Sequence, residues 1–549
     1  MNILSHLLDR VEDHPDKIAF SFFDEKFNEY NCITFKELNE KSNRAAILLE
    51  NRGFRRGMKI IVIIRPSIEL ITVIYAMFKV GIIPIFLPNL ALKNRTGRKE
   101  LRLIISRAKI DGFIGDRKYL LLSWLLGIRK FSNKVIPIHK LKKYFNNSNN
   151  ESDYSINTDL DWSEKSAFVK YTTGSTGPAK GVIYNHAMLH SHIEILKSEG
   201  INSNDVFFGR SGTLIVHPMI GLTSVVHTKK PKDTTGEEIV KAINRWGVTT
   251  SFLSPPSAIN LSNYLGKLNN GDTKIQKFTT LNKLFVGGET VPPEVVENIQ
   301  SHFSALNLEN SGYYLVYGAT EGFPLCQNSA RGIIDTEEKT NLGQGICLGE
   351  PVGDVKIRIL TYRDSSGFFD NSTSINVPGY GLNSIGEISI SGSVVYSRLI
   401  GDDEIIFGGT NNWAFDKNDN SYWHRTGDLG YIDENKKIWL VGRKKHIVEL
   451  KNGVILYPRI IEPILDSMFD IRTALVNNQE NSKANIIVEK NELDWDLLQK
   501  KLIRSIPTLC DLIGFKIDFS FILYDDYFPV DSGHQAKIRR EILSQWLCE

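Results

Sequence analysis

The chain has 549 residues, of which 42% are hydrophobic and 23% are charged, and its formal net charge is +3. Such fractions are typical of globular proteins, and a chain of this length is expected to fold as two or more domains. The small net charge gives no reason to expect a nucleic acid partner, and five cysteines without a Cys-x-x-Cys pair indicate neither a disulfide framework nor a zinc site.

The segment from residue 34 to residue 90 alternates helix and strand patterns. Thr34 is a candidate N-cap for an apolar-periodic helix that ends near Leu49. Residues 59–64 are rich in β-branched side chains and predict a strand, and residues 68–80 predict a second helix. This βαβ rhythm predicts a parallel sheet with helices on both faces, and therefore an α/β fold.

Three segments bear on membranes and on location. Residues 1–9 lack the basic region and the long apolar core of a secretory signal, so we expect a cytoplasmic protein. The most apolar stretch, residues 119–128, is far shorter than the roughly 20 residues that a membrane-spanning helix needs. We expect it to pack against the core, with peripheral membrane contact as the alternative. The basic run at 93–107 is interpreted as a solvated helix face.

Residues 171–181 form a loop rich in glycine and hydroxyl residues, with the sequence Tyr-Thr-Thr-Gly-Ser-Thr-Gly-Pro-Ala-Lys-Gly. It follows a polar segment at 146–159 that is typical of a surface connection. Glycines let consecutive backbone N–H groups approach an anion, and the hydroxyls and the ammonium add further donors. The loop therefore predicts a cradle for nucleotide phosphates, although its spacing is not that of a Walker-type P-loop. The predicted phosphate-binding residues are Thr172, Thr173, Gly174, Ser175, Thr176, Gly177 and Lys180.

Five further motifs follow this loop. They are Phe-Val-Gly-Gly-Glu at 285–289, Tyr-Gly-Ala-Thr-Glu at 317–321, Arg-Thr-Gly-Asp at 425–428, Gly-Arg-Lys-Lys-His at 442–446 and Gly-His-Gln-Ala-Lys at 533–537. Together with the loop, and in the same order, they resemble the signatures of the adenylate-forming (AMP-binding) superfamily, which includes acyl-CoA synthetases, firefly luciferase and peptide-synthetase adenylation domains. The resemblance covers nearly the whole chain.

The resemblance implies a role for each motif. Tyr317 would stack on adenine, Glu321 would hold magnesium, and Asp428 would accept hydrogen bonds from the ribose hydroxyls, roles that suit an aromatic face and two carboxylates. The residues implied in ATP binding are Gly287, Gly288, Glu289, Tyr317, Gly318, Ala319, Asp428 and Arg443. The implied catalytic residues are Thr320, Glu321 and Lys537, and the implied hinge residue is Lys445.

The resemblance also implies an architecture. Residues 1–443 would form a large N-terminal domain of layered αβα sheets, which binds ATP and the acid. Short strands at 355–391, with glycine and asparagine between them, predict a β-rich subdomain within it. Residues 444–549 would form a small mobile α+β domain that carries Lys537.

The implied reaction uses ATP and Mg²⁺ and has two steps. In the first, the carboxylate of a small-molecule acid attacks the α-phosphorus of ATP and releases pyrophosphate, while Lys537, the loop donors and a Glu321-bound magnesium neutralise the developing charge. The small domain then rotates about Lys445. The apolar character of residues 212–221 and of the surroundings of Gly288 suggests a hydrophobic, fatty-type acid.

The acceptor of the acyl group is open. An acyl-CoA ligase would transfer it to a thiol such as CoA, and the hairpin at 451–458 keeps Gly453 near where thioester-forming relatives admit the pantetheine arm. The order Gly-Pro-Ala-Lys at 177–180, the stretch 336–349 and His446 resemble instead the olefin-biosynthesis β-lactone synthetases, in which a β-hydroxyl of the substrate attacks its own activated carboxyl. An inactive AMP-binding relative is the third alternative, and it would be expected to lack Lys537 or Glu321.

Histidines give weaker signals. His217 lies in an apolar segment, where a core position is favoured over a substrate-lining one. His186 and His190 are four residues apart on a predicted helix, and without a third ligand in sight a metal site is the weaker interpretation.

Overall fold

The computed structural model of the protein describes residues 3–25, 28–87, 95–116, 134–150, 153–155, 165–172, 180–210, 215–269, 278–304, 311–360, 385–395, 399–400, 413–416, 421–478, 483–531 and 535–548. In chain order its strands are β1 (Ile18–Asp24), β2 (Glu29–Thr34), β3 (Lys59–Ile63), β4 (Ile83–Phe86), β5 (Gly112–Gly115), β6 (Val135–Pro137), β7 (Ser166–Thr172), β8 (Lys180–Asn185), β9 (Val206–Gly209), β10 (Thr223–Val226), β11 (Thr250–Leu253), β12 (Lys283–Gly287), β13 (Gly312–Ala319), β14 (Gly322–Ser329), β15 (Ile346–Pro351), β16 (Lys356–Leu360), β17 (Gly386–Ser391), β18 (Leu399–Ile400), β19 (Trp413–Asp416), β20 (Ser421–Ile432), β21 (Ile438–Arg443), β22 (Val448–Glu449), β23 (Ile455–Leu456), β24 (Thr473–Val476), β25 (Ala484–Glu489) and β26 (Phe519–Tyr524).

The α-helices are α1 (Leu4–Asp13), α2 (Phe35–Asn51), α3 (Ile68–Val80), α4 (Arg95–Arg107), α5 (Ile138–Phe145), α6 (His186–Ser198), α7 (His217–Ile220), α8 (Gly236–Trp246), α9 (Pro255–Asn269), α10 (Pro293–Ser304), α11 (Ala330–Ile334), α12 (Glu337–Asn341), α13 (Pro458–Phe469), α14 (Trp495–Ile513) and α15 (Arg540–Cys548). Short 3₁₀ turns cover Pro231–Asp233 and Lys444–His446.

A sheet of seven strands contains the segment in which the sequence predicts a βαβ rhythm. Its order is β18-β8-β7-β4-β3-β5-β6, and the pairs β7-β4, β4-β3, β3-β5 and β5-β6 are parallel. The predicted parallel sheet is therefore confirmed. Thr34 caps α2, because its side chain accepts from the Glu37 N–H and the Glu37 carboxylate accepts from the Thr34 N–H. Nearly every side chain of α3 is buried, as expected for a helix inside an α/β core.

The largest sheet runs in the order β16-β17-β20-β21-β15-β14-β13-β12-β11-β9-β10-β1-β2, and β19 pairs with β20. The consecutive pairs from β13 to β1 are parallel. The pairs β1-β2, β13-β14 and β14-β15 are antiparallel. Ligands of open α/β sheets bind outside the carboxyl ends of the parallel strands. Gly287 ends β12 and Ala319 ends β13 at this edge, so both predicted nucleotide motifs reach it.

The C-terminal part of the chain is the smaller α+β unit that the sequence predicts. β24, β25 and β26 form a three-stranded sheet next to α13, α14 and α15. Its apolar core includes Ile460 and Phe519 and is continuous with Tyr431 and Trp439 of β20 and β21. The boundary at residues 443 and 444 stays a prediction.

Several other predicted segments are described in part. The basic run forms α4, in which Leu101 and Ile104 are buried while Arg102 and Arg107 are exposed, so the solvated face is confirmed for these side chains. Strands β16 and β17 confirm β structure within 355–391, and residues 361–384 lie outside the described residues, as do 119–128 and most of 151–164. No helix among the described residues is long and apolar enough to cross a membrane.

Candidate active site

The predicted phosphate loop is flanked by two paired strands. Thr172 of β7 lies opposite Lys180 of β8, so the first and last predicted phosphate-binding residues are held side by side. The side chains of Thr172 and Lys180 lie outside the described residues, and so do the other residues of the predicted cradle, which are Thr173, Gly174, Ser175, Thr176 and Gly177. A Cβ at Gly181 would come within 2.7 Å of the Tyr171 ring, which explains why glycine follows the lysine.

Thr320 and Glu321 form the turn of a tight hairpin. The turn joins β13 to β14, and Ala319 pairs with Gly322 on either side of it. The Tyr184 hydroxyl donates a hydrogen bond to the Thr320 carbonyl, and the Tyr184 ring stacks on Phe168 with centroids 4.4 Å apart. The Thr320–Glu321 turn is therefore fixed to the β7-β8 pair that carries the phosphate loop.

Glu321 lies near a lysine that the sequence analysis missed. Lys170 is two residues from Phe168 on β7, so both side chains lie on the face of the sheet that carries Tyr184. Desolvation lowers the pKa of Lys170, and the Glu321 carboxylate opposes that change. Glu321 is partly exposed, so its hard oxygens are accessible to a cation, and the residues present fit the implied magnesium site.

Tyr317, Asp428 and Arg443 meet although they come from three separate motifs. Asp428 pairs with Arg443 across β20 and β21, and the Arg443 Nε lies 2.6 Å from the Asp428 Oδ1. The Tyr317 hydroxyl donates to the Asp428 Oδ2 at 2.7 Å. Burial and the Asp428 charge raise the pKa of Tyr317, and Asp428 raises the pKa of Arg443, so the phenol and the guanidinium both stay donors. Each carboxylate oxygen keeps a further lone pair for a ribose hydroxyl.

A buried carboxylate supports this arrangement from β17. Glu387 is 5% exposed and pairs with Arg425 of the Arg-Thr-Gly-Asp motif. It also accepts from the Gly427 N–H at 3.1 Å and lies 3.7 Å from the Lys444 Nζ. Glu387 was not predicted, because nothing in its local sequence marks it.

The predicted adenine loop begins at the carboxyl end of β12. A Cβ at Gly287 would come within 2.9 Å of the Phe252 ring, and Gly288 has a φ of +107°, so both positions require glycine. Glu289 pairs with Arg459 of α13 at 2.6 Å. Arg459, like Lys170 and Glu387, was not predicted from the sequence.

The predicted hinge residue and the predicted catalytic lysine lie in the C-terminal part. Burial and the Arg443 charge lower the pKa of Lys445, and the Lys537 charge adds to this effect. Burial and the Arg540 charge lower the pKa of His446 to about 2, so its imidazole is neutral. The exposed Lys537 donates its backbone N–H to Asp531 at 2.9 Å. Within the described part of the chain, no hydrogen bond or ion pair joins the Lys537 side chain to another predicted site residue.

Part of the expected wall of the acid pocket follows β9. Because β9 and β10 are parallel, the chain must return from the carboxyl edge to the amino edge of the sheet between them. Gly221 lies at the amino edge, since the Lys17 Nζ binds the carbonyls of both Gly221 and Ser203, and Ser203 precedes β9. That residues 212–221 line the pocket stays a prediction, and residues 212–214 lie outside the described residues. The partly exposed rings of Phe252 and Phe323 contact each other near the carboxyl edge, with centroids 5.8 Å apart.

The histidines have structural contacts. His217 is 2% exposed, its Nδ1 lies 3.1 Å from the Ser224 hydroxyl, and burial lowers its pKa to about 3, which confirms the core position. His186 accepts from the Ile3 N–H, and His190 lies 3.2 Å from His6. Among the residues that the structure describes, no group of three or more His, Cys, Asp or Glu side chains could hold a metal ion.

A cavity of about 580 Å³ lies beside the predicted hinge. Its lining includes three lysines, Lys444, Lys445 and Lys451, and one carboxylate, Glu449, together with Gly453 of the hairpin. The lysines outnumber the carboxylate, so the cavity carries a net positive charge that favours an anionic ligand.

Residues 7–397 match the family model described as AMP-binding enzyme. The chain is 26% identical to an olefin beta-lactone synthetase of Stenotrophomonas maltophilia (strain K279a), over 99% of this chain and 98% of that protein. It is 25% identical to a 2-succinylbenzoate–CoA ligase of Bacillus thuringiensis subsp. konkukian (strain 97-27), over 82% and 80%. The o-succinylbenzoate CoA synthetase of Bacillus subtilis is a structural neighbour at 18% identity. Its complex with the acyl-adenylate intermediate has a TM-score of 0.71 and covers 98% and 97% of the two chains, and its complex with ATP and magnesium ion has a TM-score of 0.70 and covers 98% of both.

Proposed function

Because the chain belongs to the family of AMP-binding enzymes and is an adenylate-forming enzyme, we propose that it activates a hydrophobic, fatty-type carboxylic acid as acyl-AMP and releases pyrophosphate. The observation that carries this proposal is the meeting of Tyr317, Asp428 and Arg443 at one point, since these residues suit an adenine face and a ribose.

The first step needs an anionic carboxylate to approach a polyanionic nucleotide. The backbone and hydroxyl groups of 172–177, with Lys180, would hold the phosphates, and Thr320 would contact the α-phosphate from the hairpin turn. Lys537 would neutralise charge that develops in the transition state. Magnesium at Glu321 would supply Lewis-acid stabilisation of the phosphate charge. Phe252 and Phe323 supply the apolar surface that favours a hydrophobic acid.

Two fates of the acyl group each have an observation in favour. Transfer to a thiol, as in an acyl-CoA ligase, is supported by the cationic cavity beside the hinge, which suits the phosphates of CoA. Cyclisation of a long-chain β-hydroxy acid to a β-lactone is supported by the similarity to the olefin beta-lactone synthetase over 99% of this chain. In that case the tethered hydroxyl attacks the acyl carbon, the acyl–oxygen bond to AMP breaks, and no thiol is needed.

The test uses one acid in two forms. The protein is incubated with ATP, Mg²⁺ and either a long-chain fatty acid or its β-hydroxy analogue, with and without CoA, and the products are identified by mass. Release of AMP and pyrophosphate supports adenylation, and release of ADP would refute it. A thioester from both acids supports the ligase, whereas a product lighter than the hydroxy acid by one water, formed without CoA, supports the lactone synthetase.

A further inference from the structure

An ion pair joins the C-terminal part of the chain to the predicted adenine loop. The Arg459 Nη2 of α13 lies 2.6 Å from the Glu289 Oε1, and the two side chains are 22% and 21% exposed. Glu289 also accepts from the Thr290 N–H at 3.1 Å, which fixes its carboxylate at the end of the glycine turn. This partly buried ion pair therefore lies at the contact between the C-terminal unit and the predicted adenine loop.

The other carboxylates near Arg459 are already engaged. Glu462 accepts from the Arg540 Nη2 at 2.6 and 2.7 Å and from the Leu475 N–H at 2.8 Å. Asp466 accepts from the Thr473 hydroxyl at 2.7 Å, and burial raises the pKa of Asp466 to about 8, so this group is protonated at neutral pH. Glu289 is therefore the anion that balances the charge of Arg459.

Helix α13 also packs against Gly343, which lies in the stretch 336–349. Gly343 has a φ of +81°, and a Cβ there would come within 2.8 Å of the Ile464 Cδ1 and 3.3 Å of the Ile460 Cγ2. Glycine at 343 thus lets the apolar face of α13 approach the backbone that follows α12. The ion pair and this contact fix one orientation of α13.

That orientation also holds the Lys537 segment against the larger unit. The Gln535 Oε1 accepts from the Lys232 N–H at 3.2 Å, within the 3₁₀ turn Pro231–Asp233. This turn packs on the start of α9 through a hydrogen bond from the Ser257 hydroxyl to the Pro231 carbonyl. Since α9 follows the carboxyl end of β11, the Lys537 segment lies on the side of the sheet where the candidate site is.

We propose that Arg459 is a positioning residue, whose pair with Glu289 holds the C-terminal unit in the orientation that serves adenylation. The inference rests on the proposed two-step function. When the C-terminal unit rotates for the second step, Arg459 leaves with α13 and Glu289 becomes unpaired. The pair therefore couples the orientation of the C-terminal unit to the nucleotide loop, and it favours the first step over the second.

The test compares the two half-reactions in Arg459→Lys, Arg459→Gln and Arg459→Glu. The first is measured as acid-dependent exchange of pyrophosphate into ATP, and the second as consumption of supplied acyl-adenylate. We expect Arg459→Glu to lower exchange by about tenfold and to leave adenylate consumption within about twofold of wild type, with Arg459→Lys near wild type. The matched control is Arg331→Glu, because Arg331 of α11 pairs with Asp335, the residue that follows this helix, and is 90% exposed.

A charge swap distinguishes loss of the Arg459–Glu289 ion pair from a general loss of folding in the variants. Exchange in Glu289→Lys/Arg459→Glu should exceed exchange in Glu289→Lys alone. Hydrogen exchange of peptides that cover 287–290 and 458–465 should rise in Arg459→Glu and stay unchanged in Arg331→Glu. Equal losses in both half-reactions, or a double variant slower than Glu289→Lys, would overturn the proposal. A wild-type protein without acid-dependent exchange would refute the proposed function and the role of the pair with it, whereas normal wild-type exchange with unaffected Arg459 variants would refute the pair alone.

Discussion

Replacing Tyr317 with Phe removes the hydroxyl that donates to Asp428 and keeps the ring that would stack on adenine. A buried hydrogen bond to a charged acceptor contributes about 1.5–3 kcal/mol. Asp428 is 5% exposed and keeps its ion pair with Arg443 in this variant, so we expect a loss of about 2 kcal/mol in the free energy of unfolding. In Asp428→Asn the Arg443 charge loses its partner, but its side chain is 36% exposed, so a loss of about 2–3 kcal/mol is expected rather than that of a fully buried pair.

The assay is a double-mutant cycle measured by urea unfolding. The coupling energy between Tyr317→Phe and Asp428→Asn should reach about 1 kcal/mol or more, because Tyr317→Phe removes the donor and Asp428→Asn removes the negative charge of the acceptor. The control is Tyr431→Phe, whose hydroxyl donates at 2.8 Å to the neutral Gln344 carbonyl away from the site. In the pyrophosphate exchange assay, Asp428→Asn should raise the KM for ATP roughly tenfold, since an amide is a weaker acceptor than a carboxylate, and Tyr317→Phe should raise it much less. A coupling energy below about 0.3 kcal/mol, or a Tyr317→Phe loss no larger than that of Tyr431→Phe, would refute the reasoning.

Three further predictions concern the metal, the catalytic lysine and a buried lysine. Glu321→Ala should lower acid-dependent exchange at least about tenfold, and excess Mg²⁺ should restore part of it; wild-type exchange would remove the metal assignment. Lys537→Ala should lower exchange on the order of a hundredfold and spare consumption of supplied acyl-adenylate; equal damage to both steps would contradict a role confined to the first. Burial lowers the pKa of Lys79 to about 7, and this side chain is 3% exposed. Since the unfolded chain then binds more protons between about pH 7 and 10.5, the free energy of unfolding should rise across this window. Hydrogen bonds from the Lys79 Nζ to the carbonyl and Oδ1 of Asn39 favour the ammonium and reduce the size of this rise. In denaturation measured at several pH values, Lys79→Met should flatten the rise of the free energy of unfolding with pH. An unchanged slope would contradict the assignment of this rise to Lys79.

Residues 34–80 adopt the elements that their local sequence predicts. Thr34 and Glu37 form a capping box at the predicted helix start, and the predicted strand at 59–64 and helix at 68–80 occur as Lys59–Ile63 and Ile68–Val80. These elements were predictable because caps and apolar periodicity act over a few residues.

The missed site residues act over long sequence distances. Glu387 binds Arg425 and Arg459 binds Glu289, and neither Glu387 nor Arg459 is marked by a local pattern. Between β9 and β10 the chain returns to the amino edge of the sheet, where Gly221 lies, a consequence of parallel pairing that composition does not reveal. Lys170 could have been found, since it lies two residues before Thr172 in the strand that leads into the loop.

The central claim is that the acid's own carboxylate attacks the α-phosphorus of ATP. The direct measurement uses a long-chain β-hydroxy acid labelled with ¹⁸O in its carboxyl group, with ATP, Mg²⁺ and CoA, and records the mass of the nucleotide product. Because the carboxylate oxygen that bonds to phosphorus stays with AMP when the acyl carbon–oxygen bond breaks, either acceptor should yield AMP that carries one ¹⁸O and unlabelled pyrophosphate. Unlabelled AMP, or ADP with the label in inorganic phosphate, would contradict the account.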